Sequence, residues 1–163
     1  MRILGIDPGF AIVGYSIIDY IGNKFTLIDS GAVITKAGMD FPLRLTKIYD
    51  ELTEVIQKYK PDVVSVEELF FNQNTKTAIN VAQARGVVLI VGCKAGIPTY
   101  EYTPLQVKQA VVGYGRADKK QVQQMVKAIL KVDEIPKLDD ITDAMAVGIC
   151  HAHSYRMLDR RAQ

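Results

Sequence analysis

Two short apolar runs, each closing on an acid, constrain this chain more than any other feature. Arg2 to Asp7 carries Ile3, Leu4 and Ile6 and stops at Asp7-Pro8-Gly9; Asp62 to Glu67 carries Val63, Val64 and Val66 and stops at Glu67. Both are too short for helices of ordinary length and rich enough in branched residues for buried strands. Between them Leu45, Ile48, Tyr49, Leu52, Val55, Ile56 and Tyr59 recur at helical spacing, with Pro42 in the first turn and Pro61 beyond the end. A strand, a helix and a second strand predict a parallel pair. The two acids then fall at the same rim of the sheet, where active sites of open α/β sheets lie.

The remaining pattern extends this sheet. Val13 to Asp19 and Phe25 to Ile34 read as strands joined by a Gly22-Asn23 turn, so the first three strands form an antiparallel meander. A helix is expected from about Asn74 to about Ala95, and its Val87 to Val91 portion is apolar on every side. One sheet face cannot cover such a helix, so a second partner is expected. Thr99 to Tyr102 supplies a fifth strand, and the rest is helical. Asp118 and Gln121 form a capping box before the stripe Val122, Met125, Val126, Ile129 and Leu130. Asp139 or Asp140 starts the last helix, whose Ala144, Met145, Val147 and Gly148 suit close packing on a sheet. The fold class is α/β, a five-stranded mixed sheet flanked by helices, as one domain over 1–163.

Composition excludes some classes. No apolar run is long enough to span a bilayer, and the N-terminus lacks a secretory signal pattern. Cys93 and Cys150 lack metal-ligand spacing and read as two buried thiols in a reducing, cytoplasmic setting. The net charge is only +2, but it is unevenly spread. Residues 104–131 set Lys108, Arg116, Lys119, Lys120, Lys127 and Lys131 against Asp118 alone. A basic segment beside clustered acids fits a protein that binds phosphates while holding cations.

Asp140 and Asp143 lie three apart on the last helix and share a face. Interaction with the positive helix N-terminus accounts for one aspartate; it accounts poorly for Asp139, Asp140 and Asp143 together. Bringing Asp7, Glu67, Asp140 and Asp143 to one point is repulsive unless cations neutralise them. Such oxygen-rich sites suit Mg²⁺ or Mn²⁺, and one or two ions can drive phosphodiester hydrolysis. His151 and His153 stand two to three turns beyond Asp143, too far to join them as ligands.

These residues also form a known series. Ile3 to Gly9 with Val13-Gly14-Tyr15, Val66 to Phe70, Gln83-Ala84-Arg85-Gly86, Val107-Lys108-Gln109, Ala117 to Gln123 and Asp140 to Ala144 closely resemble the RuvC family of Holliday-junction resolvases. The matches run in order over nearly the whole chain. The resemblance implies an RNase H-like fold and a homodimer that nicks opposed strands of a four-way DNA junction. It implies Mg²⁺-dependent hydrolysis, leaving 5′-phosphate and 3′-hydroxyl ends, with Asp7, Glu67, Asp140 and Asp143 as the catalytic metal ligands. Glu68 stands where the family often has an uncharged residue, so the glutamate that reaches the ions is either Glu67 or Glu68.

The resemblance further assigns Phe70 to the junction centre and Lys108 and Lys119 to backbone phosphates; Arg116 and Lys120 are neighbouring basic residues expected to add DNA contacts. A ring stacked on an unstacked base contributes ~1–3 kcal/mol. Dimerisation through the 74–95 helix would bury its second apolar face, with Gly86 allowing close approach. RuvA and RuvB enter as implied branch-migration partners. The competing readings are an RNase H-like nuclease acting on RNA or RNA–DNA hybrid, and a non-catalytic junction-binding module. An actin-like ATPase domain also opens on an Asp-X-Gly strand, but it needs a second lobe that 163 residues do not hold.

Overall fold

The computed structural model describes residues 1–68 and 75–159. Five strands, β1 (Arg2–Asp7), β2 (Ile12–Ile21), β3 (Lys24–Ile34), β4 (Val63–Glu67) and β5 (Thr99–Tyr102), form one sheet in the order β3-β2-β1-β4-β5. The β1–β2 and β2–β3 pairs are antiparallel; β1–β4 and β4–β5 are parallel. The mixed sheet is therefore the expected one, with β2 longer than Val13 to Asp19. Its extra residues pair up to the hairpin, where Gly22 and Asn23 take φ of 53° and 70°. Two successive positive φ values match the right-handed twist of the flanking strands.

Helices α1 (Phe41–Tyr59) and α2 (Thr75–Lys94) pack on one face; α3 (Pro104–Val112), α4 (Lys119–Leu130) and α5 (Asp139–Asp159) pack on the other. Ile48, Leu52 and Ile56 of α1 and Ala84, Val88 and Val91 of α2 meet Leu4, Ile6, Val64 and Val66 in the first core. The second core joins Val107 and Val111, Val122 and Val126, and the apolar middle of α5. The capping box before α4 is present: Asp118 accepts from the Gln121 N–H at 2.9 Å, and Gln121 accepts from the Asp118 N–H at 2.9 Å. Thr103 and Gln106 cap α3 in the same way.

One detail departs from expectation. Cys150 is buried, but Cys93 is exposed, because the buried stripe of α2 runs through Ala84, Val88 and Val91 and Cys93 lies off it. Arg44 is buried, its guanidinium 4.4 Å from the Phe10 ring centroid and donating to Thr35 Oγ1 at 2.7 Å. Phe70 lies outside the described residues, as do Arg160 and Arg161 of the tail. Among the described residues no helix is long and apolar enough to cross a membrane.

Candidate active site

Strand alternation decides which acids meet. Leu4 and Ile6 of β1 enter the core under α1 and α2, whereas Ile3 packs on the opposite face. Asp7 continues the Ile3 series. On β4, Val64 and Val66 enter the α1–α2 core and Val63 faces away, so Glu67 shares the face of Asp7. The parallel register of Ile6 with Val66 then brings the acids side by side, near enough for the charge of Glu67 to act on Asp7. Glu68 follows the strand end, with its N–H donating to the Tyr102 carbonyl at 2.8 Å. Of the two glutamates, Glu67 is the partner of Asp7.

Helix α5 brings the second pair of acids. It can descend onto the sheet because two facing positions lack a Cβ. A Cβ on Gly5 would collide with the Ala144 carbonyl oxygen, and one on Gly14 with that of Asp140. Ser16, paired with Gly5 across the strands, donates its Oγ hydrogen to the Ala144 carbonyl at 3.0 Å. The first turn of α5 is thereby held over the rim where Asp7 ends β1, opposite Gly14.

The electrostatics record the convergence. Burial pushes the Asp7 carboxyl far above its ordinary range, and Glu67, Asp143 and Asp140 raise it further. Glu67 is raised by burial and then by Asp143, with Lys108 and Lys119 pulling the other way. Asp143 is raised by burial against the opposing pull of Lys119. Asp7 thus feels all three of the other acids expected from the sequence. An oxygen-only donor set holding partly buried negative charge fits a hard divalent cation. Among the described residues, however, no three acidic, His or Cys side chains stand drawn together as a finished ligand cage. The Lys119 ammonium group lies against Asp143 instead, 3.4 Å from its Oδ2.

Beside the acids a cleft of about 190 Å³ is lined by Glu67 and Asp143 together with Lys108 and Lys119. Two ammonium groups facing two carboxylates suit a phosphodiester whose backbone must approach cations. Arg116 and Lys120 are exposed and stand off this lining. His151 is fully buried, its Nδ1 2.8 Å from the Tyr102 hydroxyl, and burial lowers its pKa to about 4. His153 Nδ1 lies 2.9 Å from the Ala110 carbonyl oxygen. Neither histidine joins the acids. The contact that sequence reasoning missed is Asp139, whose Oδ2 lies 3.0 Å from Lys119 Nζ. No spacing rule connects residues twenty positions apart on different helices.

Known proteins resemble the chain over nearly its whole length. The family model for crossover junction endodeoxyribonuclease RuvC matches residues 3–151. The crossover junction endodeoxyribonuclease RuvC of Ruminiclostridium cellulolyticum is 59% identical over 157 residues, covering 96% of this chain and 95% of that protein. That of Caldanaerobacter subterraneus subsp. tengcongensis is 55% identical over 160 residues, covering 98% and 97%. The structure of Thermus thermophilus RuvC in complex with Holliday junction substrate superposes with a TM-score of 0.91 at 36% identity, covering 96% of both chains. The chain belongs to the RuvC family of crossover junction endodeoxyribonucleases.

Proposed function

We propose that this protein resolves four-way (Holliday) DNA junctions by paired nicks on opposed strands, with Asp7, Glu67, Asp140 and Asp143 as its metal-binding catalytic acids. The observation that carries the reading is the meeting of two strand-end acids with two acids of one helix turn, beside a cleft walled by Lys108 and Lys119. The Thermus thermophilus relative is described in complex with a Holliday junction, which supports the substrate.

Mg²⁺, with Mn²⁺ as a substitute, would supply Lewis-acid activation of water and charge stabilisation of the leaving oxygen. Asp7 and Glu67 would hold the ion from the sheet rim, and Asp140 and Asp143 from the first turn of α5. Lys108 and Lys119 orient the scissile backbone. Burial of the acids keeps bulk water from screening the site, which strengthens every charge interaction there. Hydrolysis leaves a 5′-phosphate and a 3′-hydroxyl, ends that a ligase can rejoin. Phe70, Arg116 and Lys120 complete the DNA contacts of this reading.

Two symmetric cuts call for two sites, and α2 is the surface that would supply them as a homodimer. Ile79 and Ile90 are 67% and 53% exposed on that helix, and an open apolar groove lies between Leu45, Tyr49, Val87 and Ile90. A Cβ on Gly86 would meet nothing within 4 Å, so that face is open to a close neighbour. We read 1–163 as one nuclease domain working in the cytoplasm with RuvA and RuvB as partners. The test compares Mg²⁺-dependent cleavage of a synthetic four-way junction, a linear duplex and an RNA–DNA hybrid. Selective, paired nicking of the junction is expected. Preference for the hybrid would replace this reading with a ribonuclease.

A further inference from the structure

The Lys119 ammonium is shared between two carboxylates of α5. Its Nζ lies 3.0 Å from Asp139 Oδ2 and 3.4 Å from Asp143 Oδ2. Asp139 is itself anchored, because its Oδ1 accepts from Gln123 Nε2 at 3.0 Å. Residues Lys119 and Gln123 lie one turn apart on α4, so that helix grips the first residue of α5 at two points. Asp143 is the more buried of the two acids, with its side chain 32% exposed against 54% for Asp139. The deeper acid faces the cleft lining, and Asp139 is not part of that lining.

This arrangement sets up a competition. An oxygen of Asp143 that accepts from an ammonium group cannot give its full charge to a divalent ion, and two cations on one carboxylate repel each other. A lysine with Asp143 as its sole partner would hold that acid against the ion. With Asp139 at 3.0 Å, the ammonium has a second carboxylate within reach and need not leave the mouth of the cleft. We infer that Asp139 is a positioning residue: it takes over the Lys119 ammonium when a divalent cation claims Asp143, freeing the acid and keeping the lysine poised toward phosphate. The inference rests on Asp143 being a metal ligand, as proposed above. A plain surface ion pair at a helix N-terminus would make no such link between Asp139 and cation affinity.

A double-mutant cycle on the full-length protein tests it, with Mn²⁺ binding read by calorimetry and by the electron paramagnetic resonance of free Mn²⁺, without DNA. Lys119→Gln should tighten Mn²⁺ binding by up to about fivefold, the range of a partly exposed ion pair. Asp139→Asn should weaken it by about threefold in the native background and leave it unchanged in the Lys119→Gln background. Asp139→Glu should restore the native value. Equal weakening by Asp139→Asn in both backgrounds would mean the acid acts only through its own charge, and the inference fails alone. Unchanged Mn²⁺ affinity in Asp143→Asn would remove the metal reading and this inference together. Thermal unfolding of each exposed-site variant confirms that the comparison is between folded proteins.

Discussion

Gly14 of β2 touches the first turn of α5 so closely that any Cβ there would strike the Asp140 carbonyl oxygen. The backbone of Asp140 and Ile141 leaves no room for a methyl group, because a helix backbone cannot rotate aside like a side chain. This contact and its counterpart at Gly5 let the acids of α5 come down to those of the sheet.

Gly14→Ala is therefore expected to displace the start of α5 and separate the two pairs of acids. Overpacking should cost about 1–3 kcal/mol in urea denaturation. Junction cleavage should fall far more than junction binding. Full activity in a folded Gly14→Ala protein would show that this contact does not set the site.

Asp7→Asn should abolish cleavage, leave junction binding intact, and stabilise the metal-free protein at neutral pH. The sign follows from linkage. Asp7 is raised in the folded state, so folding binds a proton and stability falls as pH rises above the unfolded carboxyl value. The variant removes that loss, which grows as pH rises from 5 to 8. Mg²⁺ should raise the melting temperature of the native protein and not of the variant. Thermal scans across pH 5–8 measure both effects.

His151 provides the opposite pH dependence. Its folded pKa, about 4, lies below the unfolded value, so its stability contribution is complete above about pH 6.5 and is lost as pH falls toward 4. Between pH 7 and pH 5 the native protein should lose about 2 kcal/mol relative to His151→Phe. Urea titrations at the two pH values read the difference directly. Parallel curves would mean that the ring is not held neutral.

Lys108 lines the cleft beside Glu67. Lys108→Gln should weaken junction binding and reduce the log–log salt slope by about 0.9, the signature of one lost phosphate contact. Binding titrations across a series of salt concentrations decide it. An unchanged slope would remove Lys108 from the DNA interface.

Ile90 lines the apolar groove of α2 and is 53% exposed. Ile90→Asp should shift sedimentation from dimer to monomer at micromolar concentration, since a charge buried at an interface is costly. Each junction should then be nicked on one strand at a time. A dimer that persists unchanged would place the subunit contact elsewhere.

Local rules made much of the fold legible in the sequence. Short apolar runs ending at Asp7 and Glu67, the helical stripe from Leu45 to Tyr59, the Gly22-Asn23 turn and the Asp118–Gln121 cap all reappear in place. Each depends on periodicity or backbone chemistry within a few residues, which the chain carries wherever it folds. Strand alternation likewise points Glu67 and Glu68 to opposite sides, without saying which side the other acids occupy. Cys93 failed the same treatment because an all-round apolar helix does not declare which stripe it buries.

What the sequence by itself determined was two pairs of acids, one at a sheet rim and one on a helix face. Register and helical pitch are local, so each pair followed from spacing alone. Tertiary structure decided the rest. The choice of Glu67 over Glu68 required knowing which sheet face α5 covers. Bringing Asp140 and Asp143 to Asp7 required the descent of α5 onto Gly5 and Gly14, a contact between segments more than a hundred residues apart. The sharing of Lys119 between Asp139 and Asp143 is set by how α4 docks on α5. Such placements depend on the packing of whole elements, for which one chain's local pattern carries no ruler.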